Sequence, residues 1–204
     1  KKCGFKSQGL FVMDGSKRSS QGNAYFSGLG ASKRIVFFDT LLSRLNHDEI
    51  EAVLAHELGH FKRRHVLKRI ALTFALSLGF LWLLAQLMQA DWFYAGLGVS
   101  THSTAMALLL FFMVLPVFTF LLQPVGSAYS RKHEFEADAF AAENSSGPEL
   151  AHALVSMYRD NASTLTPDPW HSAFYDSHPP PAARIARLAE RAAARPEAAS
   201  PAAA

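Results

Sequence analysis

The chain is poor in cysteine, and its middle third is almost empty of charge. Cys3 is the single cysteine in 204 residues. That excludes an intrachain disulfide and a cysteine-built zinc cluster, and it suits a site facing a reducing compartment. Between Arg69 and Arg131 the only formally charged side chain is Asp91, so a solvated helical surface cannot be built there. The net charge is only +3, and the basic residues crowd beside apolar runs. This argues against nucleic acid as a partner despite a sequence pI of about 9.1. No signal-peptide pattern is present and no Met precedes Lys1-Lys2, an opening expected of a fragment or processed piece of a longer protein.

What fills the uncharged third is apolar. The runs 70–90 and 105–125 carry no charge, and each is about as long as the 20 or so residues a bilayer-spanning helix needs. Lys62, Arg63, Arg64, Lys68 and Arg69 precede the first run, Arg131 and Lys132 follow the second, and the connecting 91–104 has no Lys or Arg. By the positive-inside rule both outer flanks face the cytoplasm and the loop lies outside, with Trp92, Phe93 and Tyr94 expected as an interfacial aromatic anchor. Pro116 and Pro124 predict kinks in the second span.

Shortly before the first run stands His56-Glu57-Leu58-Gly59-His60. Helical residues four apart differ by about 40° around the axis, so both imidazoles project from one face and can share one Zn²⁺. Glu57, turned about 100° from His56, can act as a base on water at the metal without ligating it. Two surface histidines on an ordinary helix are the plain alternative. With nine histidines in the chain, a chance match has odds of roughly one in fifty.

A catalytic zinc needs a third protein ligand and an open position. Residues 130–141, SRKHEFEADAFA, read as a helix without Gly or Pro. Glu134 and Asp138 share a face there at i, i+4, and Glu136 points elsewhere. Glu134 as ligand and Asp138 as acceptor from a zinc-bound imidazole fit that face. A helix with scattered carboxylates fits the same spacing.

H-E-L-G-H before a hydrophobic hairpin, followed by S-R-x-x-E-F-x-A-D, resembles the integral-membrane zinc metalloproteases of the CAAX prenyl protease type I family. The resemblance extends upstream to Asn23-Ala24-Tyr25-Phe26 and to residues 33–42, KRIVFFDTLL, and downstream to Tyr175-Asp176-Ser177-His178-Pro179-Pro180 and Arg184. It implies His56, His60 and Glu134 as ligands of one Zn²⁺ and Glu57 as general base. It points to His178 and Arg184 as oxyanion stabilisers, and to Asn23 as a contact to the substrate backbone. Further N-terminal spans of the same protein, helping to enclose an intramembrane chamber, are implied as partners. From local pattern alone, His178 reads as a loop histidine near a helix start, Arg184 as one of the solvated arginines of the amphipathic 182–194, and Asn23 as a turn residue.

The expected fold is mainly α and multi-pass: a helical zinc-protease core, a small antiparallel sheet and a transmembrane hairpin. Residues 9–14, 23–26 and 34–38 read as strands separated by Asp14-Gly15 and Gly28-Leu29-Gly30 turns, with an edge suited to an extended peptide. Asn46-His47-Asp48-Glu49 reads as a capping box opening the zinc helix. The expected division is 1–69 (sheet and zinc helix), 70–125 (hairpin), 126–192 (third ligand and C-terminal catalytic segment) and a disordered Ala/Pro-rich tail, 193–204. The expected activity is endopeptidase cleavage of prenylated or related membrane-associated C-a-a-X peptides. Its site would face the cytoplasm from a bacterial inner membrane or the endoplasmic reticulum. Rival readings are a general quality-control membrane protease and a non-catalytic membrane scaffold.

Overall fold

The computed structural model describes residues 9–27, 34–160 and 166–194. Cys3, the Gly28-Leu29-Gly30 turn and the tail beyond Ala194 lie outside them. The elements, in order, are β1 (Leu10–Met13), β2 (Ala24–Ser27), β3 (Arg34–Phe38), α1 (Asp39–Leu42), α2 (His47–Lys62) and α3 (His65–Leu87). After them come α4 (Asp91–Gly96), α5 (Thr104–Asn144), α6 (Gly147–Asp160), α7 (Pro169–Tyr175) and α8 (Pro181–Ala193). They fall into two compact units, Arg64–Gly126 and the residues on either side of it.

In the flanking unit the sheet is mixed, where an antiparallel one was expected. Strand order is β1-β3-β2. β2 pairs antiparallel with β3, Ala24 facing Phe37, while β1 runs parallel to β3, Leu10 facing Ile35. The reason lies in residues 14–23, which do not close a hairpin. They cross the end of β3, where the Asp39 carboxylate accepts from the Gly15 and Ser16 backbone N–H groups at 2.9 and 3.0 Å and from the Ser16 hydroxyl at 2.6 Å. Gly15 is needed for that crossing, because a Cβ there would lie 2.6 Å from the Phe38 ring. β3 is the central strand, and its Ile35, Val36 and Phe37 are all buried, as a run covered on both faces should be.

α2 begins at the capping box. The Asn46 side chain accepts from the Glu49 N–H at 2.9 Å, and Glu49 accepts from the Asn46 N–H at 2.8 Å. α2 packs on α6, and α6 on α8. Leu41, Leu45, Ala52, Val53, Leu150, Leu154 and Leu188 form the shared core.

In the other unit, α3 and the apolar first half of α5 are long and apolar enough to cross a membrane. Most of their large side chains face outward; Trp82 and Phe118 are 66% and 62% exposed. That arrangement matches a lipid solvent and not water. α5 continues through Pro116 and Pro124 as one 41-residue helix, so the second apolar run and the segment bearing Glu134 are a single element. Of the expected aromatic anchor only Trp92 is exposed. Phe93 and Tyr94 are buried against Leu84, Ala107, Leu110 and Phe111, where the short helix α4 turns them inward.

Candidate active site

α2 and the C-terminal half of α5 approach closely at a single glycine. A Cβ on Gly59 would sit 3.0 Å from the Ala137 Cα, 3.1 Å from its carbonyl oxygen and 3.2 Å from the Phe140 Cβ. The residue just before the second histidine therefore admits no side chain without pushing the helices apart. This contact places the imidazoles of α2 beside the carboxylates of α5.

The result is a tight donor set. His56 Nε2 lies 3.2 Å from His60 Nε2 and 3.6 Å from Glu134 Oε2, and His60 Nε2 lies 3.4 Å from Glu134 Oε1. Three atoms each about 2.0–2.1 Å from one tetrahedral zinc must lie about 3.3–3.4 Å apart, so the residues fit the ion. Two neutral imidazoles and a carboxylate are also the donors zinc prefers.

The far nitrogen of His56 is fixed. Nδ1 lies 2.9 Å from Asp138 Oδ1, which turns Nε2 toward the other donors. Asp138 in turn accepts from Arg184 at both oxygens, from Nε at 2.8 Å and from a terminal nitrogen at 2.6 Å. Another nitrogen of Arg184 stands 3.7 Å from Glu134. Arg184 is buried, not solvated as its amphipathic stretch suggests, and two of its three nitrogens are already hydrogen-bonded to Asp138.

The electrostatics favour positive charge at this centre. Burial disfavours a charged His56, but its hydrogen bonds to Asp138 and Glu134 outweigh that and raise its pKa to about 9. Burial likewise opposes the carboxylates, yet the His56 hydrogen bond holds both Glu134 and Asp138 at about 2. Glu57 behaves in the opposite way, as burial raises its pKa, the direction a general base near neutral pH requires.

Above the donors lies a cavity of about 350 Å³ lined by Asn23, Ala24, Val53, His56, Glu57, Glu134, Leu150, Leu154, Met157, Tyr158, His178 and Arg184. All eight residues singled out in the sequence are thus in one neighbourhood, six on the wall and His60 and Asp138 among or behind the donors. His178 is exposed, with Nε2 3.6 Å from Glu134 Oε1 and Nδ1 3.1 Å from the Ser177 hydroxyl. The segment before it is tied down by Arg131, which donates to the carbonyls of Ser172, Ala173 and Asp176 at 3.0, 3.1 and 2.8 Å. The Ser127 hydroxyl adds a bond to the Phe174 carbonyl at 2.8 Å.

Three contributions escaped the sequence. Arg131 was read as a charge flanking a span, although its place in S-R-x-x-E-F, one turn before Glu134, was available as a signal. Leu150, Leu154 and Met157 of α6 look like ordinary core positions. Tyr158 sits on the same amphipathic helix, and nothing in its spacing separates it from packing.

Two helix-borne histidines, an acid between them and a glutamate from a later helix make this a candidate metal centre, with His56, His60 and Glu134 as its three donors. The chain belongs to peptidase family M48, whose profile matches residues 1–192. It is 36% identical over 203 residues to CAAX prenyl protease 1 of Saccharomyces cerevisiae, covering 92% of this chain and 45% of that protein. It is 40% identical over 182 residues to a CAAX prenyl protease 1 homolog of Oryza sativa subsp. japonica, covering 88% and 42%. The crystal structure of S. mikatae Ste24p superposes with a TM-score of 0.80 at 35% identity, over 92% of this chain and 46% of that one. The chain thus spans somewhat under half the length of these relatives.

Proposed function

We propose that this chain is the catalytic part of a membrane-embedded zinc endopeptidase acting on prenylated C-a-a-X peptides. The observation that carries the reading is the donor set of His56, His60 and Glu134, with separations of 3.2–3.6 Å, opening into a cavity beside Glu57. The substrate class follows from the relatives named CAAX prenyl protease 1, and from two apolar helices able to hold the chain where a lipid-anchored cysteine arrives. The charge distribution around those helices favours a site on the cytoplasmic side of the bilayer. Upstream spans of the same protein are its expected structural partners.

Held by His56, His60 and Glu134, zinc would supply Lewis acidity to the scissile carbonyl and to water. Glu57, beside these donors on the cavity wall, would serve as the base that takes a proton from water and returns it to the leaving amine. Asp138 holds His56 in the tautomer and direction that ligation requires. Arg184 neutralises Asp138 and Glu134, so its role becomes positioning and charge balance in place of the oxyanion contact expected for it. His178 remains as an oxyanion donor, and Asn23, at the entrance to edge strand β2, holds the substrate backbone.

The test compares a farnesylated C-a-a-X peptide with its unprenylated twin, using full-length protein in liposomes with a chelator control. Cleavage confined to the farnesylated peptide supports the reading. Equal cleavage of both replaces it with a general membrane endopeptidase, and cleavage of neither leaves a scaffold.

A further inference from the structure

The cavity wall carries one hydroxyl that neither the motifs nor the mechanism above uses, the phenol of Tyr158 on α6. Tyr158 and His178 line the cavity over the zinc donors and also a second cavity of about 500 Å³, whose wall includes His171, Tyr175 and Pro179–Pro181. Tyr158 shares the first wall with Glu57, Glu134 and Arg184, so its phenol belongs to the chamber that holds the donor cluster.

A second fact gives this position its meaning. Hydrolysis needs donors aimed at the carbonyl oxygen as it becomes negative. Arg184, the strongest donor on the wall, directs Nε and a terminal nitrogen to Asp138. A phenol carries one O–H donor and, with an ordinary pKa of about 10, keeps its proton near neutral pH for such an acceptor. Being neutral, it adds no charge beside a bound cation.

Resting on the function proposed above, we infer that Tyr158 is a catalytic residue, its Oη donating a hydrogen bond to the substrate carbonyl oxygen in the tetrahedral transition state. The proton stays on the phenol throughout, so the step forms and breaks no covalent bond at Tyr158.

The experiment uses zinc-loaded full-length protein in liposomes, an S-farnesyl C-a-a-X peptide, and a phosphinic analogue whose anionic oxygen copies the transition state. Tyr158→Phe is expected to lower kcat about 100-fold, the loss typical of one oxyanion donor, with KM within twofold and zinc content unchanged. Binding of the phosphinic peptide should weaken by a similar factor. Binding of the intact peptide, measured in the Glu57→Gln background, should be unmoved by adding Tyr158→Phe. Tyr158→His, which restores a donor, should recover part of the loss. Unchanged kcat and phosphinic binding in Tyr158→Phe would overturn the inference, as would a loss seen equally in intact-peptide binding, which marks a mere wall. If the wild-type protein holds zinc yet cleaves nothing, the proposed function itself falls and Tyr158 with it; that failure shows before any Tyr158 variant is made.

Discussion

Gly59→Ala is a small change with a calculable effect. The added Cβ meets the Ala137 Cα at 3.0 Å and its carbonyl oxygen at 3.1 Å, backbone atoms that no rotamer change can move. The helices must therefore separate by a few tenths of an ångström. Overpacking of this kind costs about 1–3 kcal/mol, while Ala in place of Gly in a helix returns about 1 kcal/mol. The net change is about 0–2 kcal/mol of destabilisation. The larger effect falls on the metal. The separation of α2 and α5 sets the 3.4–3.6 Å gaps between the histidines and Glu134, and zinc sites tolerate about 0.2 Å of error in bond length. Zinc affinity should fall about tenfold or more, in the range seen when groups that orient ligands are lost. Thermal unfolding of metal-free protein measures the first effect, and zinc competition against a chelator measures the second. Ala137→Gly should not rescue, because the crowded atoms are backbone. A Gly59→Ala protein that melts higher and binds zinc as well as wild type would refute the reasoning.

Three further outcomes are expected. Asp138→Asn, which keeps the shape but loses the charge facing His56 and Arg184, should weaken zinc binding about 10–100-fold; chelator competition decides it. In metal-free protein the His56 pKa of about 9 exceeds its ordinary 6.5, so its stabilising share is whole below pH 6.5 and is lost as pH climbs through 9. The shares of Glu134 and Asp138, both near 2, are present above their ordinary values and lost as pH falls toward 2. Zinc must displace the His56 proton, so binding near neutral pH should release about one proton and strengthen as pH rises. Calorimetry in buffers of different ionisation heat reads this, and pH-independent binding would contradict it. Arg131→Ala frees three carbonyls of the segment before His178 and should cost about 1.5–3 kcal/mol, the worth of a charged hydrogen bond, with a lower kcat; Arg131→Lys should recover only part, since an ammonium lacks the fork. An unfolding midpoint matching wild type in Arg131→Ala would count against that role.

Much of this arrangement was legible because its signals are local. The i, i+4 spacing of His56 and His60, the shared face of Glu134 and Asp138, the capping box at Asn46 and the two apolar runs each follow from one helix considered alone. What escaped depends on contacts far apart in the chain. Asp14-Gly15 has the composition of a hairpin turn, but its conformation is set by Asp39 and Phe38, more than twenty residues on. Arg184 belongs by pattern to a solvated face and is drawn inside by Asp138 across 46 residues. Phe93 and Tyr94 have the composition of an interfacial belt, yet a short helix turns them onto α5. In each case propensity was a weak prior that a tertiary partner overrode.

The most direct test of the central claim pairs metal analysis with turnover in Glu57→Gln. The account predicts one zinc per chain in both wild type and variant, because Glu57 is not a ligand, and peptide cleavage in the wild type alone. Full activity in Glu57→Gln, or loss of zinc from it, would contradict the account.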